Sequence, residues 1–438
     1  MDKIKNDFLK LRNFLILWAT QSFSALGSAM TSYALVIWSY EQKGSALWTS
    51  LLMVCSYAPY VLLSVFAGAL SDKWNKKKTM LICDSAAAVC TLVVLGLLES
   101  GNLRIWHLYV VNAVNGLMNS VQQPASEVAT TCILPKEYYQ KVGGMRYFSN
   151  ALNSILTPII ATAVMGFAGM EFIIWFDLGT FLVAFIVLLF FVRIPEDEIL
   201  KSKQQESLLQ SAKGGLDYLW RNRGILDLIL FLSAINLVAS IYDAVFPAMM
   251  LSRGGGSRAA MGIVNSVAGI TTLVGSVLAS FLKEPKSRIR VICNCLLLSM
   301  STENLLLALG RSVPVWCVGA FLGWIAIPIM NTNMEAILRI KIPVEIQGRV
   351  FAARNTLQFF TIPLGYFLGG FLVDRVFEPF MAGQSEESIW VLLLGSGKGS
   401  GAAAVFLVIA FAGVGVCLYF RRFSHIWELE EKHEFKIR

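Results

Sequence analysis

Seven carboxylates stand in or beside long uncharged stretches of this chain: Asp84, Glu127, Asp177, Asp227, Asp243, Glu303 and Glu335. An acid in such a setting is suited to taking up a proton and giving it back. A charged side chain at the middle of a membrane helix costs ~2.5–3.5 kcal/mol on insertion scales, so each acid has to be neutralised, paired or wetted. Histidine offers no alternative, since His107 lies at an outer end and His425 and His433 lie in the tail. Asp243 is the first candidate for proton coupling because it lies well inside its stretch on a polar stripe, and Glu127 and Glu335 follow. Asp177 and Glu303 are expected to pair with neighbours on supporting helices, and Asp84 and Asp227 to be partners of lysines near cytoplasmic ends. One proton moving down 100 mV releases ~2.3 kcal/mol, enough for roughly fifty-fold accumulation of a solute.

Uncharged polar residues recur beside these acids at three- and four-residue spacing, which places them on one helical face. One stripe holds Gln21, Ser24, Ser28 and Thr31, and a second holds Asn112, Asn115, Asn119, Gln122 and Ser126. A third has Ser233, Asn236, Ser240 and Asp243, and a fourth has Asn331 and Glu335 below Trp324 and Pro328. Polar groups in a bilayer are costly unless they face protein or water. The four stripes therefore predict a substrate cavity, with Gln21, Ser24, Ser28, Asn115, Asn119, Gln122, Asn236, Trp324 and Asn331 on its wall. The eight cysteines all lie within or at the ends of apolar segments and read as packing residues; no metal site or disulfide framework is indicated. The run GSGKGS at Gly395–Ser400 resembles a phosphate loop only superficially. Leu392 holds the place of its first glycine, and Gly399 follows the lysine. With no nucleophile, metal or cofactor constellation, an enzyme is not expected.

The elements that must position these residues are membrane helices. The chain is 56% hydrophobic and 15% charged, against ~25% charged in ordinary soluble domains. Twelve stretches approach or exceed the ~20 residues a helix needs to cross a bilayer: 13–39, 47–71, 79–98, 105–133, 143–168, 172–192, 224–250, 259–282, 290–309, 313–338, 350–376 and 401–420. With both termini in the cytoplasm, the inner segments hold 30 of the 37 Lys and Arg and the outer loops hold 7. That asymmetry follows the positive-inside bias and accounts for the net charge of +8 without nucleic acid. The predicted class is an all-α polytopic membrane protein with two pseudo-symmetric six-helix halves, 1–192 and 224–420. Residues 193–223 form a cytoplasmic linker with an interfacial helix, and 421–438 a cytoplasmic tail. An offset of 208 residues carries Glu127, Pro135, Glu137 and Val142 onto Glu335, Pro343, Glu345 and Val350, as parallel halves require.

Gly68, Leu70 and Asp72, followed by Lys76, Lys77 and Lys78, resemble the loop signature of the major facilitator superfamily, with Lys73 and Asn75 where the signature has Arg and Gly. Pro124-Ala125, Pro135 with Glu137, and Gln347-Gly348-Arg349-Val350 look like its branch of bacterial macrolide-type drug exporters, which also holds siderophore exporters and a lysophospholipid transporter. The fifth span departs from many drug-proton antiporters, reading Thr157-Pro158 where a Gly-Pro is common. The resemblance implies alternating access, with Gly68 allowing span two to approach span eleven and Asp72 near Arg349 latching the cytoplasmic side. It implies proton-coupled export of amphiphilic drugs such as macrolides, as a monomer in the bacterial cytoplasmic membrane, powered by a proton gradient without a cofactor. Lysophospholipid or siderophore transport is the alternative cargo reading, and a non-transporting sensor or scaffold the alternative of another class. Trp18, Tyr57, Tyr60, Trp324 and Phe359 beside few charges suit a lipophilic, cationic cargo.

Overall fold

The computed structural model describes residues 2–133, 139–192, 194, 208–343, 346–422 and 424–430, and every regular element among them is a helix. The helices group into two compact units, one of Met1–Gly44 and Leu51–Gln205, the other of Ser45–Ser50 and Glu206–Arg438. Ten stretches among the described residues are long and apolar enough to cross a membrane. The two other expected spans coincide with α1 (Asp2–Lys43) and α4 (Ile105–Ile133), of 42 and 29 residues. At 1.5 Å per residue both exceed the ~30 Å of a hydrocarbon core. Their glutamines, asparagines and serines make them less apolar than the other ten, so the count of twelve depends on these two polar helices.

The first unit comprises α1, most of α2 (Ala46–Lys73), α3 (Lys76–Glu99), α4, α5 (Tyr139–Phe167) and α6 (Gly169–Ile186), which runs on into a π turn over Val187–Phe191. Met30, Ala34, Leu108, Ala161, Ile173 and Ile174 form its main core. The turn into α3 is capped by Asn75, whose side chain accepts a hydrogen bond from the Lys78 amide at 2.8 Å. Lys77 reaches the carbonyl end of the π turn, donating to Leu189 O at 2.9 Å and Val192 O at 2.8 Å. A cation there complements the negative end of the helix dipole.

The second unit adds α7 (Leu208–Arg221), α8 (Arg223–Ser252), α9 (Arg258–Phe281), α10 (Arg288–Leu309), α11 (Val313–Trp324) and α12 (Ile327–Lys341). Then come α13 (Gln347–Phe359) and α14 (Thr361–Phe371), the latter with a π segment over Leu372–Phe377. Two short helices, α15 (Glu378–Ala382) and α16 (Ile389–Leu394), precede α17 (Ser400–Arg421) and α18 (Ser424–Glu428). The tenth expected span is thus a broken helix, interrupted between Trp324 and Ile327 with Pro328 in the first turn of α12. Helix α8 is the most enclosed of the candidate spans. It packs on α14 through Gly365 and Gly369, where the absence of side chains lets the backbones approach.

Polar contacts hold the ends of this unit. The Asp374 carboxylate accepts from Ser45 Oγ, from Ala46 N at 3.1 Å and from Leu47 N at 2.9 Å, capping the first turn of α2. Arg253, buried just past α8, donates to Leu307 O and Ala308 O at 2.8 Å and to Leu394 O at 3.0 Å. Burial pushes its guanidinium down to about 10, so it stays charged at physiological pH and those carbonyls carry its charge.

At the opposite ends of the spans, amphipathic α7 lies on α13. Gly215 stands against the Arg349 carbonyl, Leu219 is fully buried, and the Tyr218 hydroxyl donates to Lys341 O at 3.2 Å. Burial pushes the Tyr218 phenol up. Leu216 and Trp220 stay exposed, with Arg223 4.8 Å from the Trp220 ring. Glu430, just after α18, caps α10 through Ser287 Oγ and the Ile289 amide, the latter at 2.6 Å.

Candidate functional site

In the first unit the acids are met by neutral donors. Asp84 on α3 accepts from Gln122 Nε2 of α4 and, at 3.5 Å, from Gln21 Nε2 of α1. Two residues expected on a cavity wall thus converge on an acid expected to partner lysines. The reason is position: Asp84 lies more than two turns into α3, beyond the cap where Lys76–Lys78 stand. Asp177 on α6 is buried and accepts from Ser28 Oγ of α1 at 2.9 Å. The two helices come close because Gly27 has no side chain, and a Cβ there would lie 2.9 Å from Asp177 Cα. Asn115 keeps a buried Oδ1 without a hydrogen-bond partner among the described residues, whereas Asn119 and Glu127 are exposed and Ser24 is half-buried. Tyr60 of α2 donates to Gln123 of α4 at 2.9 Å.

In the second unit the polar stripe of α8 divides into two parts. Ser233 and Asn236 bind the neighbouring helices α14 and α13, with Thr361 Oγ1 donating to Ser233 O at 2.9 Å and Asn236 Nδ2 to Gln358 O at 3.0 Å. Ser240 turns back onto its own helix at Asn236 O, 2.7 Å away. Ser233 and Asn236 thus join α8 to α14 and α13, as polar groups between membrane helices commonly do. Asp243, a turn further on, is exposed, although the residues after it from Ala244 to Met250 are buried. No hydrogen bond or ion pair engages its side chain among the described residues. Asn331 on α12 is likewise exposed.

Glu335 has cationic partners. Arg354 Nη1 of α13 lies 2.8 Å from its carboxylate and Arg339 Nε of α12 lies 3.8 Å away. Arg354 is 8% exposed and also donates to Gln358 Oε1 at 3.0 Å, its other guanidinium nitrogen meeting the Met334 sulfur at 3.6 Å. By sequence alone Arg354 is one of the inner cations, and it is not among the expected site residues. The signal was its place inside an apolar span, where a lone cation needs an acid. Glu303 on α10 was expected to pair with a neighbour, and the neighbour is aromatic: Trp324 Nε1 donates to Glu303 Oε1 at 2.9 Å.

The gating turn is only partly described. Gly68, Leu70 and Asp72 belong to the last turns of helical α2, but their side chains, and with them the expected Asp72–Arg349 latch, lie outside the described residues. Of the lysines, Lys77 closes the end of the α6 segment and Lys76 donates to Trp74 O at 3.0 Å, while Lys78 is exposed. Arg349 is exposed at the start of α13. An apolar groove of α1 and α6, lined by Phe23, Phe176, Thr180 and Val183, contains none of the expected residues.

Known proteins resemble the chain over nearly its whole length. It is 25% identical over 384 residues to macrolide efflux protein A of Streptococcus pyogenes, covering 86% of this chain and 92% of that one. Multidrug efflux pump Tap of Mycolicibacterium fortuitum is 25% identical over 391 residues, 82% of this chain and 88% of the pump. The solved structure of the nucleoside transporter NupG superposes with a TM-score of 0.62 at 14% identity, covering 93% of this chain and 98% of that one, a likeness of fold alone. The model of the Major Facilitator Superfamily matches residues 17–366, most of the sequence, and the chain therefore belongs to this family of multi-pass membrane transporters.

Proposed function

We propose that the protein is a proton-coupled exporter of amphiphilic drugs such as macrolides, working by alternating access in the bacterial cytoplasmic membrane with both termini inside. The observation that carries this reading is Asp243, an exposed carboxylate with no ion pair among the described residues, on the most enclosed helix of its unit. Such an acid is free to exchange a proton or to meet a cationic group on a cargo. The relatives named for macrolide and multidrug efflux support the direction and the cargo class. Glu127 is the second acid of this proposal. Glu335, bound to Arg354, would exchange a proton only by breaking an ion pair. Gly68, Leu70, Asp72 and Arg349 are assigned to the inner gate on the family resemblance.

Expression in a pump-deficient bacterium should lower accumulation of a fluorescent lipophilic drug and raise macrolide tolerance, and Asp243→Asn should abolish both at equal protein level. Wild-type protein without effect across a broad drug panel would overturn the drug reading. Lysophospholipid retained on the purified protein would then favour a lipid cargo.

A further inference from the structure

The second unit contains an acid that the proposed transport cycle does not yet use. Glu303 is 6% exposed in the second half of the expected ninth span, six residues before its end. It is held by contacts on several sides. Trp324 donates its indole N–H at 2.9 Å, the Tyr242 hydroxyl of α8 stands at its side, and Gly319 and Gly323 of α11 pack against its backbone and side chain. Gly323 has no room for a Cβ, which would meet the Glu303 carboxyl group. This is a built niche around one carboxyl group, made of neutral donors and without a cation among the described residues.

The other titratable groups near α10 are placed elsewhere or already engaged. From α8, Tyr242 and Asp243 face the niche. From α11, Cys317 is the only titratable side chain. From α17, the groups are Cys417, Tyr419 and Arg421, and Arg421 meets Asn294, about 13 Å from Glu303 along α10 at 1.5 Å per residue. From α12, Glu335 is bound to Arg354, and Arg339 and Lys341 lie in the last turn. α16 brings none. Among the described residues Glu303 therefore has one acid for company, Asp243, which sits next to Tyr242 in sequence and is exposed.

We infer that Glu303 is the residue that carries the coupling proton in the second unit, positioned by Trp324 and Tyr242, while Asp243 is the acid that meets the cargo. The step is simple in its balance: one carboxylate oxygen of Glu303 takes a proton from water, and the same O–H bond breaks to return it to water. A protonated Glu303 leaves Asp243 as the single negative charge of the pair, suited to a cationic cargo. A charged Glu303 adds a second negative charge to the same neighbourhood, and the two states differ in how strongly the site holds a cation. This inference rests on the proton-coupled reading above.

The test uses full-length protein in proteoliposomes with radiolabelled erythromycin as the probe. It measures uptake driven by a pH gradient and counterflow exchange without one. Wild type should show both. Glu303→Gln keeps a carbonyl to accept from Trp324, and should retain counterflow while losing gradient-driven accumulation, a loss of up to roughly fifty-fold per 100 mV of driving force. Glu303→Asp should restore part of the accumulation, and Asp243→Asn should lose counterflow as well. Tyr242→Phe should keep counterflow but shift its pH profile, and an unchanged profile would count against the niche even if Glu303→Gln failed to fold. Full gradient-driven uptake by Glu303→Gln would overturn the assignment alone. Wild-type counterflow that no pH gradient can drive would overturn proton coupling, and the assignment with it.

Discussion

Arg354 and Glu335 show how a single ion pair changes the reading of an acid. A guanidinium 8% exposed and 2.8 Å from a carboxylate has given up most of its water, and removing one partner of a buried pair typically costs ~3–5 kcal/mol because the other charge is left uncompensated. The Glu335 side chain is 40% exposed. Arg354→Met is therefore expected to destabilise by about 2–3 kcal/mol, at or below the floor of that range because Glu335 keeps water, and Glu335→Gln by less. A double-mutant cycle read by thermal denaturation in detergent should give a coupling energy of about 1–3 kcal/mol. Additive single effects would mean that the pair contributes nothing as a pair. Arg354 was visible in the sequence as a cation within an apolar span, but its partner was not. The acid lies nineteen residues away on another helix, and no local spacing rule connects them.

Helix packing obeys rules that the sequence states only after the partner is known. The α14 segment Gly365-Tyr366-Phe367-Leu368-Gly369 has the small-xxx-small spacing of close membrane helix pairs. A Cβ at Gly369 would lie 2.9 Å from Ala244 Cβ and 3.0 Å from the Ile241 carbonyl of α8. One at Gly365 would lie 2.7 Å from the Leu237 carbonyl. Gly365→Val should therefore cost at least the ~1–3 kcal/mol of an overpacked core, seen as a lower melting temperature and lower yield. Gly415 faces open space, and Gly415→Ala should be neutral or slightly stabilising by the same measurements. Polarity gives the complementary lesson. The stripes on α1 and α4 that mark them as functional also make them the least recognisable as spans, because each asparagine or glutamine that contacts protein lowers the apolarity of its helix. On α8 half of the stripe proved to be an adhesive face, because Asn236 reaches the Gln358 carbonyl and Thr361 reaches the Ser233 carbonyl, while Ser240 bonds its own helix.

For the whole molecule, 30 inner cations against 7 outer ones on the expected topology specify orientation more strongly than any single helix does. A fluorescent protein fused after Arg438 should fluoresce in a bacterial host, and alkaline phosphatase fused there should be inactive. The reverse pattern would invert the proposed topology. Composition, span length and charge asymmetry were enough to read an all-helical, multi-pass membrane protein, because the bilayer imposes length and polarity on every span separately. Family membership was legible in Gly68, Leu70 and Asp72 at the end of α2 and the lysines that follow, a local signature that needs no tertiary partner. What the sequence could not decide is which acids are free. Asp84 drew two glutamines from two other helices, Asp177 a serine, Glu335 an arginine and Glu303 a tryptophan, whereas Asp243 stands exposed. These pairings join residues between 19 and 149 positions apart. Only the packing of helices brings such residues within the ~3 Å at which a hydrogen bond or ion pair determines what a carboxylate can do.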